Sequence, residues 1–166
     1  EALEAGADVV GGIPGFEANI TDSRKHVEAM FEIATSLNRD IDMHIDESDS
    51  ASSTTLALLC DATLQNKYQG RVTASHACAL SAYDDRYASK IIDMVVAAEI
   101  GVIVNPATNL MLQGRSSTYP KVRGLTRVDE LTQKGVTVAF GQDNIQDMFY
   151  PFGQMDPLEI AFLLAH

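Results

Sequence analysis

The sequence predicts an α/β fold built from parallel strand–helix units, of the (β/α)8 TIM-barrel kind, and three observations point to it. Five short apolar segments alternate with helical patterns, spaced roughly 30 residues apart as parallel crossovers demand. The segments are apolar on both faces, as strands of a parallel sheet covered by helices are. Residues with chemistry to offer (Glu17, His44, His76, Asn105 and Asp143) fall at or just beyond the C-terminal ends of different strands, where barrels gather their functional groups.

Taken in order, Glu1 to Ala5 reads as a helix tail stopped by Gly6. Ala7 to Ile13 is a strand, ended by Pro14-Gly15. Thr21 or Asp22 is placed to cap a helix whose Val27, Met30, Phe31, Ala34 and Leu37 recur at three- and four-residue spacing, with Asn38-Arg39 closing it. Ile41 to His44 forms the second strand. A serine- and threonine-rich stretch, Ser48 to Thr55, leads into a helix with Leu56, Leu59, Cys60, Thr63 and Leu64 on one face. Val72 to His76 is the third strand. Asp84 or Asp85 caps the next helix, which turns Tyr87, Ile91, Met94, Val95 and Ala98 inward. Gly101 to Asn105 is the fourth strand, ended by Pro106. A long loop is expected from there to Thr126, which caps a short helix through Lys134, with Gly135 as its stop. Val136 to Phe140 is the last strand, and Asp156-Pro157 opens a final helix with an N-cap and first-turn proline.

The competing architecture, a doubly wound nucleotide-binding sheet, carries a GxGxxG loop after its first strand. Gly11-Gly12-Ile13-Pro14-Gly15 lacks that order. A complete barrel takes about 250 residues, so residues 1–166 are expected to be one partial barrel domain, the C-terminal five-eighths of a longer protein whose N-terminal strands are missing. With 46% hydrophobic residues the chain has enough apolar content for one core. Its net charge of −11 argues against nucleic-acid or anionic-membrane partners. No 18-residue apolar run and no signal-peptide pattern are present. Cys60 and Cys78 lack CxxC spacing, which fits a reduced, cytoplasmic protein.

Each candidate residue has an ordinary reading beside its chemical one. His44 at a strand end can offer a neutral imidazole to a metal, and Glu47 can move protons to and from bound water; read alone, the pair is equally a polar surface loop. His76 is either a core histidine with a satisfied ring or the same device one unit later. Asp143, after a strand taken as buried, is either a cap or a carboxylate whose desolvation a cation offsets. Together two histidines and an aspartate make a plausible site for Zn(II) or Fe(II). His26 and His166 read as surface residues, and Cys78 lacks a base partner at any known spacing. The HxE…PCxxC pattern of one zinc deaminase class is absent.

The sequence resembles the cytosine deaminases of the amidohydrolase superfamily along essentially its whole length. The resemblance is carried by Gly12-Ile13-Pro14-Gly15-Phe16-Glu17, His44-Ile45-Asp46-Glu47, Arg71-Val72-Thr73-Ala74-Ser75-His76 and Asn105-Pro106-Ala107-Thr108-Asn109 with Leu112-Gln113-Gly114-Arg115. Tyr119-Pro120, Arg123-Gly124-Leu125-Thr126-Arg127-Val128 and Phe140-Gly141-Gln142-Asp143-Asn144 complete it. It implies a metal-dependent amidohydrolase barrel with one catalytic divalent metal, Fe(II) or Zn(II), and a place in pyrimidine metabolism. His44 and Asp143 would be metal ligands, joined by a His-x-His pair that this chain does not contain. His76 would orient the attacking hydroxide, Glu47 would protonate the ring nitrogen and relay protons, and Asp143 would take up the water's proton. Glu47, His76 and Asn144 would lie against the substrate. The implied partner is a small-molecule heterocycle, and a homo-oligomer is compatible with it.

Asn144 stands where cytosine deaminases usually carry a second Asp, and Gln142 where they carry His. An amide donates as well as accepts, so the ring edge it reads differs from that of cytosine. Isocytosine, creatinine or an aminotriazine are the alternative rings. A fragment or binding module without turnover is the alternative of another class.

Overall fold

A computed structural model of the chain describes residues 2–165. Five strands, β1 (Val9–Gly12), β2 (Asp40–Ile45), β3 (Val72–His76), β4 (Gly101–Val104) and β5 (Val138–Phe140), form one parallel sheet in the order β1-β2-β3-β4-β5. Unbroken sequential order is what a barrel requires; a doubly wound sheet reverses at its switch point. The helices are α1 (Ile20–Leu37), α2 (Thr55–Gln65), α3 (Asp85–Ala97), α4 (Pro106–Leu112), α5 (Val128–Gln133) and α6 (Pro157–Leu164).

Strand alternation divides the central strands into two faces. Ile41, Met43, Ile45, Val72, Ala74, Val102 and Val104 are buried and join one apolar cluster with Val27 and Phe31 of α1, Leu56 and Leu59 of α2, and Ile91 and Val95 of α3. Each such fully buried large side chain stabilises the fold by about 1.5–3 kcal/mol. The opposite face is polar and more open. There the register aligns Asp42 with Thr73 and Gly101, and His44 with Ser75, Ile103 and Ala139.

Several local expectations are corrected. Residues 2–6 form turns rather than a helix end, and Glu1 lies outside the described residues. Helix α1 is capped by Asn19, not by Thr21 or Asp22: its Oδ1 accepts from both of their backbone N–H groups at 3.0 Å, satisfying two donors that a helix start leaves open. Arg127 rather than Thr126 stands at the N-cap of α5. Its guanidinium donates to the carbonyls of Leu80 and Tyr83 and to the carboxylates of Asp85 and Glu130, tying α5 to the segment after β3. Strand β5 is shorter than expected, and Ala139 and Phe140 are exposed rather than covered. The largest correction is α4, which replaces the first part of the expected loop: Pro106 ends β4 and, with its fixed φ, begins a helix. Among the described residues no helix is long and apolar enough to cross a membrane.

Candidate active site

The tips of β2, β3 and β5 bring three of the expected residues together. The His44 and His76 rings lie 4.8 Å apart between centroids. One nitrogen from each and a carboxylate oxygen of Asp143 all fall within 4.8 Å of one another. Simple alternation would turn His76 away from His44, because its register partner is Ile45, not His44. The backbone corrects this: His76 has φ +76°, and Ala77 after it φ +49°. Asp46 and Asp143 are likewise left-handed, at φ +47° and +62°. Non-glycine residues in this region carry strain that the surroundings must hold. Here it is held in part by Ala77 N–H donating to the Ile45 carbonyl at 2.9 Å and Ala79 N–H to that of Asp46 at 3.1 Å.

Glu47 completes the group, with Oε1 3.6 Å from His76 Nδ1. Partial burial and then the nearby Asp143 carboxylate push its pKa up to about 7, where a carboxyl exchanges protons most effectively at neutral pH. Burial, reinforced by His44, pushes His76 down to about 4, so its ring is neutral at pH 7. The Asp143 carboxyl is also raised, by partial loss of surrounding water and to a lesser extent by the Asp147 carboxylate, against which His44 and a hydrogen bond from Thr108 act to lower it. Asp143 is exposed, contrary to its expected place behind a buried strand, so water screens much of that push.

Helix α4 buttresses the cluster. Asn105 at its N-cap and Asn109 one turn on are both buried and both direct amide nitrogens at the His76 ring, while Thr108 supports Asp143. Gly141 makes room for Asn105: a Cβ there would sit 2.6 Å from Asn105 Oδ1. The loop after β2 is tied to the end of α4, where Gly114 N–H donates to Asp49 at 2.9 Å. Gly114 has φ +70°, and a Cβ on it would come within 2.2 Å of the Val122 carbonyl oxygen.

Asp46 is a further residue that the sequence did not single out. It is 3% exposed, and its carboxylate accepts from Thr55 N–H and Oγ1 at 2.7 Å, Leu56 N–H at 3.0 Å and the Tyr83 hydroxyl at 3.2 Å. It therefore caps α2 from a distance, since Thr54 makes no side-chain cap, and fixes the chain between His44 and Glu47. Asp46→Ala strands these donors and is expected to cost about 3 kcal/mol of unfolding free energy. Urea titration checks this, and a loss below about 1 kcal/mol would show that the brace is dispensable.

The remaining candidates are more peripheral. Asn144 lies beside Asp143, and its Nδ2 donates to Asp147 at 2.7 Å, so one of its amide hydrogens is already engaged. Gln142 donates to the Asn144 carbonyl at 3.2 Å, while its own Oε1 is buried without a partner among the described residues. Glu17 is taken up by His26, with Oε1 and Nδ1 2.8 Å apart. His26 is thus half-buried and paired rather than a plain surface residue, and His166 lies outside the described residues. Cys78 is fully buried, and burial pushes its thiol far up, which leaves no nucleophile there.

A barrel segment that gathers two histidines and an aspartate at the tips of β2, β3 and β5 belongs to the class of α/β barrels whose strand tips can hold a metal ion. The chain belongs to the Amidohydrolase family, whose model matches residues 1–164. Its fold superposes with a TM-score of 0.94 on 5-methylcytosine deaminase from Klebsiella pneumoniae liganded with 5-fluorocytosine, at 40% identity, covering 98% of this chain and 39% of that one. The pterin deaminase of Rhizobium rhizogenes is 35% identical over 158 residues, 95% of this chain and 35% of the relative. The N-isopropylammelide isopropyl amidohydrolase of Pseudomonas sp. is 26% identical over 164 residues, 98% of this chain and 37% of that protein. The chain thus spans little more than a third of the length of these relatives.

Proposed function

We propose that the protein is a metal-dependent hydrolytic deaminase of a cytosine-like amino heterocycle, releasing ammonia. The observation that carries this reading is the convergence of His44, His76 and Asp143 within 4.8 Å, with Glu47 beside them. The donor set fits a divalent cation. Zn(II) and Fe(II) accept imidazole nitrogen and carboxylate oxygen, and Asp143 is a carboxylate raised by its surroundings that a cation would pull down again. His44 and Asp143 would hold the metal. When bound, it supplies acidification of a water, and so a nucleophile at neutral pH.

The residues of the chain then divide the work. Glu47, poised near neutrality, gives a proton to the ring nitrogen beside the amino-bearing carbon and makes that carbon electrophilic. Neutral His76 orients the attacking oxygen. Asp143 takes up the proton the water loses and passes it to the amino group, the C–N bond breaks and ammonia leaves; the added hydroxyl gives its proton back to the Glu47 carboxylate as the carbonyl forms, which restores both carboxyl groups. Asn144 reads the ring edge. The free, buried cysteines accord with a reducing cytoplasm.

A second reading differs in the ring. Asn144 in place of the family's Asp, and the likeness to a pterin deaminase, favour a 2-amino-4-oxo edge of the isocytosine type. The two readings part on a panel of cytosine, 5-methylcytosine, isocytosine, pterin, creatinine and an aminotriazine, assayed for ammonia with metal-loaded intact protein. Release from cytosine or 5-methylcytosine supports the first reading and release from isocytosine or pterin the second. Silence across the fully loaded panel contradicts both.

A further inference from the structure

The triad at the strand tips leaves open whether His76 is a third ligand or a donor, and the answer lies in what surrounds its ring. His76 is 1% exposed and Asn109 is fully buried. Asn109 Nδ2 lies 3.0 Å from His76 Nδ1. Asn105 also presents Nδ2, at 3.5 Å from Nδ1 and 3.4 Å from Nε2. An amide nitrogen can only donate, and a neutral imidazole has one acceptor and one donor nitrogen. The Asn109 contact is the short one, whereas Asn105 lies about equally far from both ring nitrogens at the outer limit of a hydrogen bond and selects neither; with Nδ1 accepting from Asn109, the ring proton sits on Nε2.

The opposite amide orientation would place Asn109 Oδ1 against an Nδ1–H. It would also leave the amide NH2 group in the place now occupied by Oδ1, which is buried and has no partner among the described residues. One orphaned carbonyl oxygen is tolerated more readily than an orphaned pair of donors. Glu47 is the competing acceptor, but its Oε1 is 3.6 Å from Nδ1, beyond hydrogen-bond reach. Of the other titratable neighbours, His44 meets the ring through a tilted contact, Asp143 brings a carboxylate oxygen within 4.8 Å of a ring nitrogen, and Asp42 acts on the ring through its charge.

We propose that Asn109 is the positioning residue that fixes His76 as the Nε2–H tautomer, making it a hydrogen-bond donor rather than a third metal ligand. With Nδ1 occupied by Asn109 and Nε2 protonated, neither nitrogen has a free lone pair for a cation. The catalytic consequence rests on the deaminase reading: His76 then holds the attacking oxygen by donation, and loss of Asn109 disorders that donation without removing a ligand.

Long-range proton–nitrogen correlation spectra of the 15N-histidine-labelled, zinc-loaded intact protein test this without any turnover. The parent should show His76 protonated on Nε2 and unprotonated on Nδ1. Asn109→Asp presents only acceptors and should move the proton to Nδ1, with zinc content unchanged and kcat lowered about 10- to 100-fold, the usual cost of an outer-shell partner. A parent His76 protonated on Nδ1, a His76 nitrogen bound to zinc, or an Asn109→Asp spectrum unchanged from the parent would overturn the proposal. If Asn109→Asp does not fold, the parent spectrum alone decides. If the parent deaminates no ring, the deaminase reading fails, while the tautomer is still read from the spectrum.

Discussion

Glu47→Gln is expected to lower kcat by about a hundred- to ten-thousand-fold, the range a positioned acid–base group supplies. The amide keeps the shape of the side chain and cannot release a proton. Glu47 sits within reach of the cluster yet outside its ligand set, so bound metal should be unchanged. Steady-state ammonia release, paired with metal analysis of the same preparation, checks both halves. A variant at full rate would remove Glu47 from the proton path, and one that loses its metal would make it a ligand. The value near 7 belongs to the cation-free site, where Asp143 repels a second charge. A cation on Asp143 cancels that repulsion and leaves only the push from partial burial, so the alkaline limb of the pH–rate profile, where Glu47 loses the proton it donates, shifts downward.

His44→Ala should have the opposite signature: metal below stoichiometry and activity lost with it. His44 projects from the polar face of β2, in register with Ser75 and Ile103, on an element whose alternate residues Ile41, Met43 and Ile45 are buried. The scaffold is therefore expected to survive the change, leaving circular dichroism and the unfolding midpoint near those of the parent. Asp143→Ala should behave likewise. Either variant purifying with a full metal complement would contradict the ligand assignment, because losing a side chain that binds the metal directly should cost more than the about 10- to 100-fold lost with one that only supports a ligand.

The frame of the site was legible because strand and chemistry coincide at the same residues. His44 stands one residue before the end of β2 and His76 ends β3, one register step beyond the place that matches His44. Less legible was everything that depends on backbone conformation or distant partners. Nothing in the sequence marks His76, Asp46 and Asp143 as left-handed, since the region favours glycine and none of them is one. Asp46 passed unnoticed because its partners lie nine to 37 residues away. Helix α4 was hidden by its own proline. Pro106 stops a strand and starts a helix with equal reason, and Asn105-Pro106 reads as the first until Thr108 and Asn109 are seen facing Asp143 and His76. Asn144 was expected to bring a free donor to the ring edge, and Asp147 takes up part of it.

On the proposed function, turnover needs a divalent cation held by His44 and Asp143. The most direct test is a titration of chelator-treated intact protein with Zn(II) or Fe(II), following ammonia release from the preferred ring. The rate should start at background, rise linearly and level off at one equivalent per active site. Full turnover from metal-free protein, or none at any loading across the whole panel of rings, would contradict it.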